Sequence, residues 1–142
     1  MQNQVLEIRV DVRSTIDIVT ARQQGRELAL KLGFSGAEVT LIAAAISEVA
    51  RNMVDHAKGG EVLLSVVQLG NHRGVQVVAQ DHGPGIPDIA QAMQYGFSTR
   101  KGLGVGLPGA KWLVDDFEIQ SKVGEGTVIT MRKWLKNGSA GL

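Results

Sequence analysis

The stretch from Val39 to Ile46 is apolar on nearly every side, and that run constrains the fold more than any other feature of the chain. Leu41, Ile42, Ala43, Ala44 and Ala45 follow one another without a polar break. A helix that is hydrophobic all round has no face to give to water, so it belongs in the middle of a fold. Ser35, with Glu38 three residues on, gives its start as a capping box. The same helix is expected to run to about Ala57.

Beyond Ile46 the pattern changes. Glu48 and Asn52 stand four apart, one turn from each other on one face, with Asp55 close to that stripe. A carboxylate and a carboxamide that leave a buried helix on one side need polar partners. The plain reading is the wet end of an amphipathic helix. The sharper one is a metal and phosphate site. There Asn52 offers an oxygen to Mg²⁺, a hard cation that takes few protein ligands. Glu48 takes the proton from an attacking hydroxyl.

The remaining elements fall around this helix. Leu6, Ile8, Val10 and Val12 alternate with charged residues, as a strand with one wet face does. Ser14 opens a helix, with Asp17 in a capping-box position. Ile18, Ala21, Gly25, Leu28 and Leu32 give it one apolar face, and Gly33 ends it. Glu61 to Val67 and Gly74 to Asp81 read as strands joined by a turn over Gly70–Gly74. Pro87 to Met93 reads as a short helix with Pro in its first turn. Gly96 to Gly106 is a Gly-, Ser- and Thr-containing loop, and Leu107 to Asp116 is helical. Phe117–Ser121 and Thr127–Trp134 are strands flanking the turn Gly124-Glu125-Gly126. Hairpins imply a mixed, mostly antiparallel sheet, and grouped helices imply one covered face. The expected class is α+β, a two-layer sandwich. Residues 1–135 are expected to form a single domain, with a frayed tail over 136–142.

Composition narrows the function classes. The chain has 142 residues, enough for one core. A formal net charge of +1 gives no whole-chain footprint for nucleic acid. The absence of cysteine excludes disulfides and zinc-thiolate sites. The first residues show no leader pattern, and no apolar run is long enough to span a bilayer. The expectation is a cytoplasmic protein with neither a nucleic-acid nor a membrane partner. The 18 glycines gather in the second half, which points to backbone held close to a ligand.

Two glycine clusters carry chemistry. Val75, Val77 and Ala79 share one strand face, and Asp81 continues it. A carboxylate at the end of an apolar face must accept hydrogen bonds. It could cap the turn Gly83-Pro84-Gly85, or it could accept from an exocyclic amino group such as that of adenine. Gly102-Leu103-Gly104-Val105-Gly106-Leu107 precedes a helix, and free N–H groups at a helix start bind phosphate. Thr99, Arg100 and Lys101 stand before it, within reach of phosphates or a partner, or simply in solvent. Gly104, Gly106 and Gly109 also match a dinucleotide fingerprint, but a polar loop stands where a strand should. No Walker A pattern occurs.

In order, the chain carries Glu48-x-x-x-Asn52, Asp81-x-Gly83-x-Gly85, Gly102-x-Gly104-x-Gly106 and Gly124-x-Gly126-Thr127. This series resembles the N, G1, G2 and G3 boxes of the GHKL (Bergerat-fold, HATPase) superfamily. Ile46–Asn52, Asp81–Ile86, Gly96–Thr99 and Gly102–Gly109 are more narrowly similar to the anti-sigma-factor Ser/Thr kinase family. Within it they look most like the stressosome switch kinases of the RsbT type, and Lys133-Trp134-Leu135 fits as well.

The resemblance implies an ATP-binding protein serine/threonine kinase. Asp81 would read the adenine amino group, with Gly83, Gly85 and Ile86 shaping the base pocket and Thr127 near the base. Asn52 would hold Mg²⁺. Gly102, Gly104 and Gly106 would wrap the phosphates, with Leu103, Val105 and Leu107 in the same segment and Thr99, Arg100 and Lys101 at its entrance. Glu48 would be the general base. The implied substrate is a Ser or Thr on a STAS-domain protein of the stressosome. The freed kinase would then act on a downstream phosphatase or output protein, and a homodimer is compatible with the family. Arg100-Lys101 departs from the small residues expected in the lid. Two alternatives stand beside the kinase: a non-catalytic ATP-binding partner switch, and an anti-sigma factor that sequesters a sigma subunit. A sensor histidine kinase is excluded, since no helical phosphoacceptor domain fits. His56, His72 and His82 are read as solvated or structural.

Overall fold

The computed structural model describes residues 7–94 and 106–136. The elements run β1 (Glu7–Val12), α1 (Thr15–Leu32), α2 (Gly36–Ala57), β2 (Gly60–Leu69), β3 (His72–Asp81), α3 (Ile89–Ala92), α4 (Gly106–Leu113), β4 (Asp116–Lys122) and β5 (Gly126–Trp134). The strands form one sheet in the order β1-β2-β3-β5-β4. All pairings among them are antiparallel, so the sheet lies at the antiparallel end of the expected range.

The apolar run in α2 does what its composition requires. Val39, Ile42, Ala45, Ile46, Val49, Ala50 and Met53 are at most 2 % exposed. Val10 and Val12 of β1, Val62 and Leu64 of β2, Val75 and Val77 of β3, and Ile129 and Met131 of β5 complete the same core. Fully burying one such side chain contributes roughly 1.5–3 kcal/mol. That cluster fixes α2 across the middle of the sheet. α1 packs beside α2 through Ile18, Ala21, Gly25 and Leu28. Gly25 matters because a Cβ there would run into the Cδ1 of Ile46.

The capping box at the start of α1 is present, and that of α2 is half formed. The Asp17 carboxylate accepts from Ser14 N–H at 3.2 Å and Arg13 N–H at 2.9 Å. Ser35 Oγ accepts from Glu38 N–H at 3.2 Å, but the Glu38 carboxylate turns to Lys136 Nζ, 3.6 Å away. That pair ties the residues after β5 to the start of α2. Residues 137–142 of the expected tail lie outside the described residues.

Three local expectations shift. The β2–β3 turn is shorter than the five residues read from sequence, because Leu69 already pairs with His72. Gly70 takes φ 62°, as the first central residue of a type II′ turn requires. The short helix starts after Asp88, not at Pro87, since the Asp88 side chain accepts Gln91 N–H at 3.0 Å. α4 ends at Leu113, before Asp116. Asp115 N–H donates to the Arg132 carbonyl, and Asp115 and Asp116 accept from Trp134 N–H and Trp134 Nε1–H at 2.7 and 2.9 Å. Those long-range bonds draw the chain into the sheet before the helix can continue.

Candidate active site

The polar end of α2, the end of β3 and the start of β5 meet at one cavity of about 440 Å³. That volume suits a small organic ligand. Asn52, Asp81, Gly85, Ile86, Leu107 and Thr127 all line it, so separate motifs expected to bind one ligand do converge.

Asp81 sits at the last position of β3, directly opposite Thr127 at the start of β5. They are 8 % and 4 % exposed. Asp81 Oδ1 accepts the N–H of Gly83 at 2.9 Å, so the turn-capping reading holds for that oxygen. Oδ2 has no partner among the described residues, and Asp81 lines the cavity. A carboxylate oxygen buried without a donor is costly, so the site is built to be completed by a ligand or water.

The glycines of the following turn answer chiefly to protein neighbours. Gly85 takes φ 81°, and a Cβ on it would lie 2.5 Å from the Lys122 carbonyl oxygen. A Cβ on Gly83 would strike Ala57. The turn is thereby pressed between the end of α2 and the β4–β5 hairpin. Gly124 N–H donates to the Pro84 carbonyl at 2.9 Å, which holds turn and hairpin together.

Glu48 lies one turn before Asn52 on α2, with its side chain 12 % exposed. Its Oε1 accepts the N–H of Gly106, the first residue of α4, at 3.0 Å. Its Oε2 lies 3.8 Å from Arg51 Nη1. The sequence reading gives Gly106 to a phosphate, whereas here its N–H is taken by a protein carboxylate. The reason is general: a helix start attracts the nearest anion. Thr99, Arg100, Lys101, Gly102, Leu103, Gly104 and Val105 lie outside the described residues.

Asn52 is half-buried, faces the cavity and has no hydrogen-bond partner among the described residues. No group of three or more His, Cys, Asp or Glu able to hold a metal occurs among those residues. A hard cation at this place would therefore use the Asn52 oxygen together with oxygens brought by the ligand, which is how Mg²⁺ is commonly held.

Sequence reasoning missed two residues. His56 lines the cavity, one turn beyond Asn52. Its spacing continues the Glu48–Asn52 stripe, which is the signal that could have found it. Ser121 is the other. Phe117, Ile119 and Ser121 alternate along β4 beside Met131, Ile129 and Thr127. A polar residue ending an apolar strand face is the same signal that singles out Asp81.

Residues 37–137 match the family described as histidine kinase-, DNA gyrase B-, and HSP90-like ATPase (HATPase_c), and this chain belongs to that family. Membership of that family implies ATP binding. Among its relatives is the serine/threonine-protein kinase RsbT of Bacillus subtilis, 46% identical over 127 residues, 89% of this chain and 96% of the relative. An anti-sigma F factor of Caldanaerobacter subterraneus is 33% identical over 69% of this chain and 71% of its own length. The crystal structure of the RsbU and RsbW domains of a Mycobacterium tuberculosis protein matches the fold with a TM-score of 0.60 at 23% identity. It covers 92% of this chain and 32% of that longer one. Among the described residues no helix is long and apolar enough to cross a membrane.

Proposed function

We propose that this chain is an ATP-dependent protein serine/threonine kinase that phosphorylates a STAS-domain partner of a stressosome-like assembly. It then signals by switching to a downstream phosphatase or other output protein. The observation that carries this reading is the convergence of Asn52, Asp81 and Thr127 on one cavity, with Glu48 one helical turn away. The 46% identity to a serine/threonine-protein kinase supports the same activity.

Asp81 Oδ2 accepts the adenine amino group, while Ile86 and Leu107 give the base apolar walls. The nucleotide's phosphates extend along α2 toward Glu48 and the start of α4. Asn52 supplies the protein oxygen for Mg²⁺. When bound, that ion offsets the charge that gathers on the transferring phosphoryl group. The partner's hydroxyl attacks the γ-phosphorus, the bond to the β-γ bridging oxygen breaks, ADP leaves, and the hydroxyl proton passes to Glu48. For that, Glu48 must release Gly106 N–H or use the oxygen that faces Arg51. A purely sequestering protein would use Glu48 only to hold the start of α4, with no proton to take. Residues 1–135 act as one kinase domain in this reading.

Incubation with radiolabelled ATP, Mg²⁺ and a cognate STAS-domain protein tests it. Label should appear on a Ser or Thr of the partner. Persistent absence of label, with nucleotide demonstrably bound, would return the chain to the role of a binding switch.

A further inference from the structure

Ser121 takes no part in the reaction just described, yet its hydroxyl joins three pieces of the base-binding end. It accepts Ile86 N–H at 2.7 Å. It lies 3.1 Å from the Gly126 carbonyl oxygen, with donor geometry. It lies 2.7 Å from Thr127 Oγ1. A serine hydroxyl has one proton to give and two lone pairs to receive with. Ile86 gives its N–H, and the Gly126 carbonyl can only accept. The Thr127 contact can run either way. If Ser121 gives its proton to Gly126, it takes one from Thr127. Thr127 then keeps only lone pairs toward the cavity. Asp81 Oδ2, beside it, is an acceptor as well.

We propose that Ser121 is a positioning residue that sets Thr127 as an acceptor and thereby makes the cavity selective for a purine bearing a 6-amino group. The inference rests on the nucleotide reading above and deepens it. A 6-oxo purine places an acceptor where the 6-amino donor would be, and two acceptors already face it. Without Ser121, Thr127 is free to turn its proton into the cavity and meet that oxygen. The Ile86 N–H also loses its partner, which loosens the turn that walls the base.

The test compares ATP with inosine triphosphate, which differs at the 6 position and the adjacent ring proton. Binding of both is measured for wild type, Ser121→Ala, Ser121→Thr, Thr127→Val and the Ser121→Ala/Thr127→Val double variant. Ser121→Ala should weaken ATP by about tenfold, the scale of one lost hydrogen bond. It should weaken inosine triphosphate much less, so that the preference between them shrinks severalfold. Ser121→Thr keeps the hydroxyl and should restore the wild-type preference. In a Thr127→Val background, adding Ser121→Ala should leave the preference unchanged. If Ser121→Ala does not fold, Ser121→Cys keeps the volume with a poorer acceptor and should shift the preference in the same direction. Equal weakening of both nucleotides, or an undiminished preference, overturns the inference and leaves Ser121 a structural link. Wild-type protein that binds neither nucleotide overturns the nucleotide reading instead, so the two failures are distinct.

Discussion

The two ends of the cavity are built differently. At the end proposed to hold the base, Asp81 and Thr127 are almost fully buried and held by protein partners, Gly83 N–H on one and Ser121 Oγ on the other. Along α2, exposure rises from buried Ser47 and half-buried Glu48 and Asn52 to exposed His56. Asn52 has no protein partner among the described residues, and Glu48 is joined to α4 by a single hydrogen bond. A rigid, flat ligand is read best by groups that are already fixed, since ordering them on binding would cost affinity. In the proposed reaction a metal, a phosphate chain and a partner hydroxyl arrive together, which suits groups that stay accessible.

That contrast can be broken at either end. The largest effect is expected from Glu48→Gln, which keeps an acceptor for Gly106 N–H but removes the base. Phosphotransfer should fall by about 10²–10⁴-fold while ATP binding stays near wild type, as measured by single-turnover kinetics and calorimetry. A parallel loss of ATP affinity would make Glu48 a binding group and erase the distinction. Asp81→Asn should act the other way. Its carboxamide can still accept from Gly83, but then turns an NH₂ toward the adenine amino group. Affinity should drop by about 10–100-fold, the scale of a lost hydrogen bond to a charged group, and binding titration checks it.

Smaller effects sharpen the picture. Gly85→Ala sets a side chain at φ 81° and against the Lys122 carbonyl. It should destabilise the fold by about 1–3 kcal/mol in urea melts and weaken ATP as well, because the turn walls the base. Lys58, just past the end of α2, holds φ 63° without being glycine. Lys58→Gly should relieve that strain and add about 0.5–1 kcal/mol of stability. Nucleotide affinity should not change, which marks the last turn of α2 as structural beyond His56.

The mostly antiparallel character of the sheet, the buried core face of α2 and the order of the glycine motifs were readable from periodicity and spacing. Less readable were features set by distant partners. Ser121 and Thr127 stand close in sequence, but only the β4–β5 register puts their hydroxyls together. The end of α4 was misplaced because Asp115 and Asp116 bond to Trp134, which lies on β5. Glu38 was expected to close its own capping box, and Lys136 drew it away.

By itself, the amino-acid order determined which residues must be buried and which polar ones would stand at the end of an apolar face. Those follow from local chemistry: hydrophobicity, side-chain period and the dihedral freedom of glycine. Only the tertiary structure decided that Asp81, Thr127 and Asn52 share a cavity, that Glu48 meets the start of α4, and that the Ser121 and Thr127 hydroxyls touch. Such facts depend on bonds between residues far apart in sequence, whose geometry exists only once the core around α2 has closed.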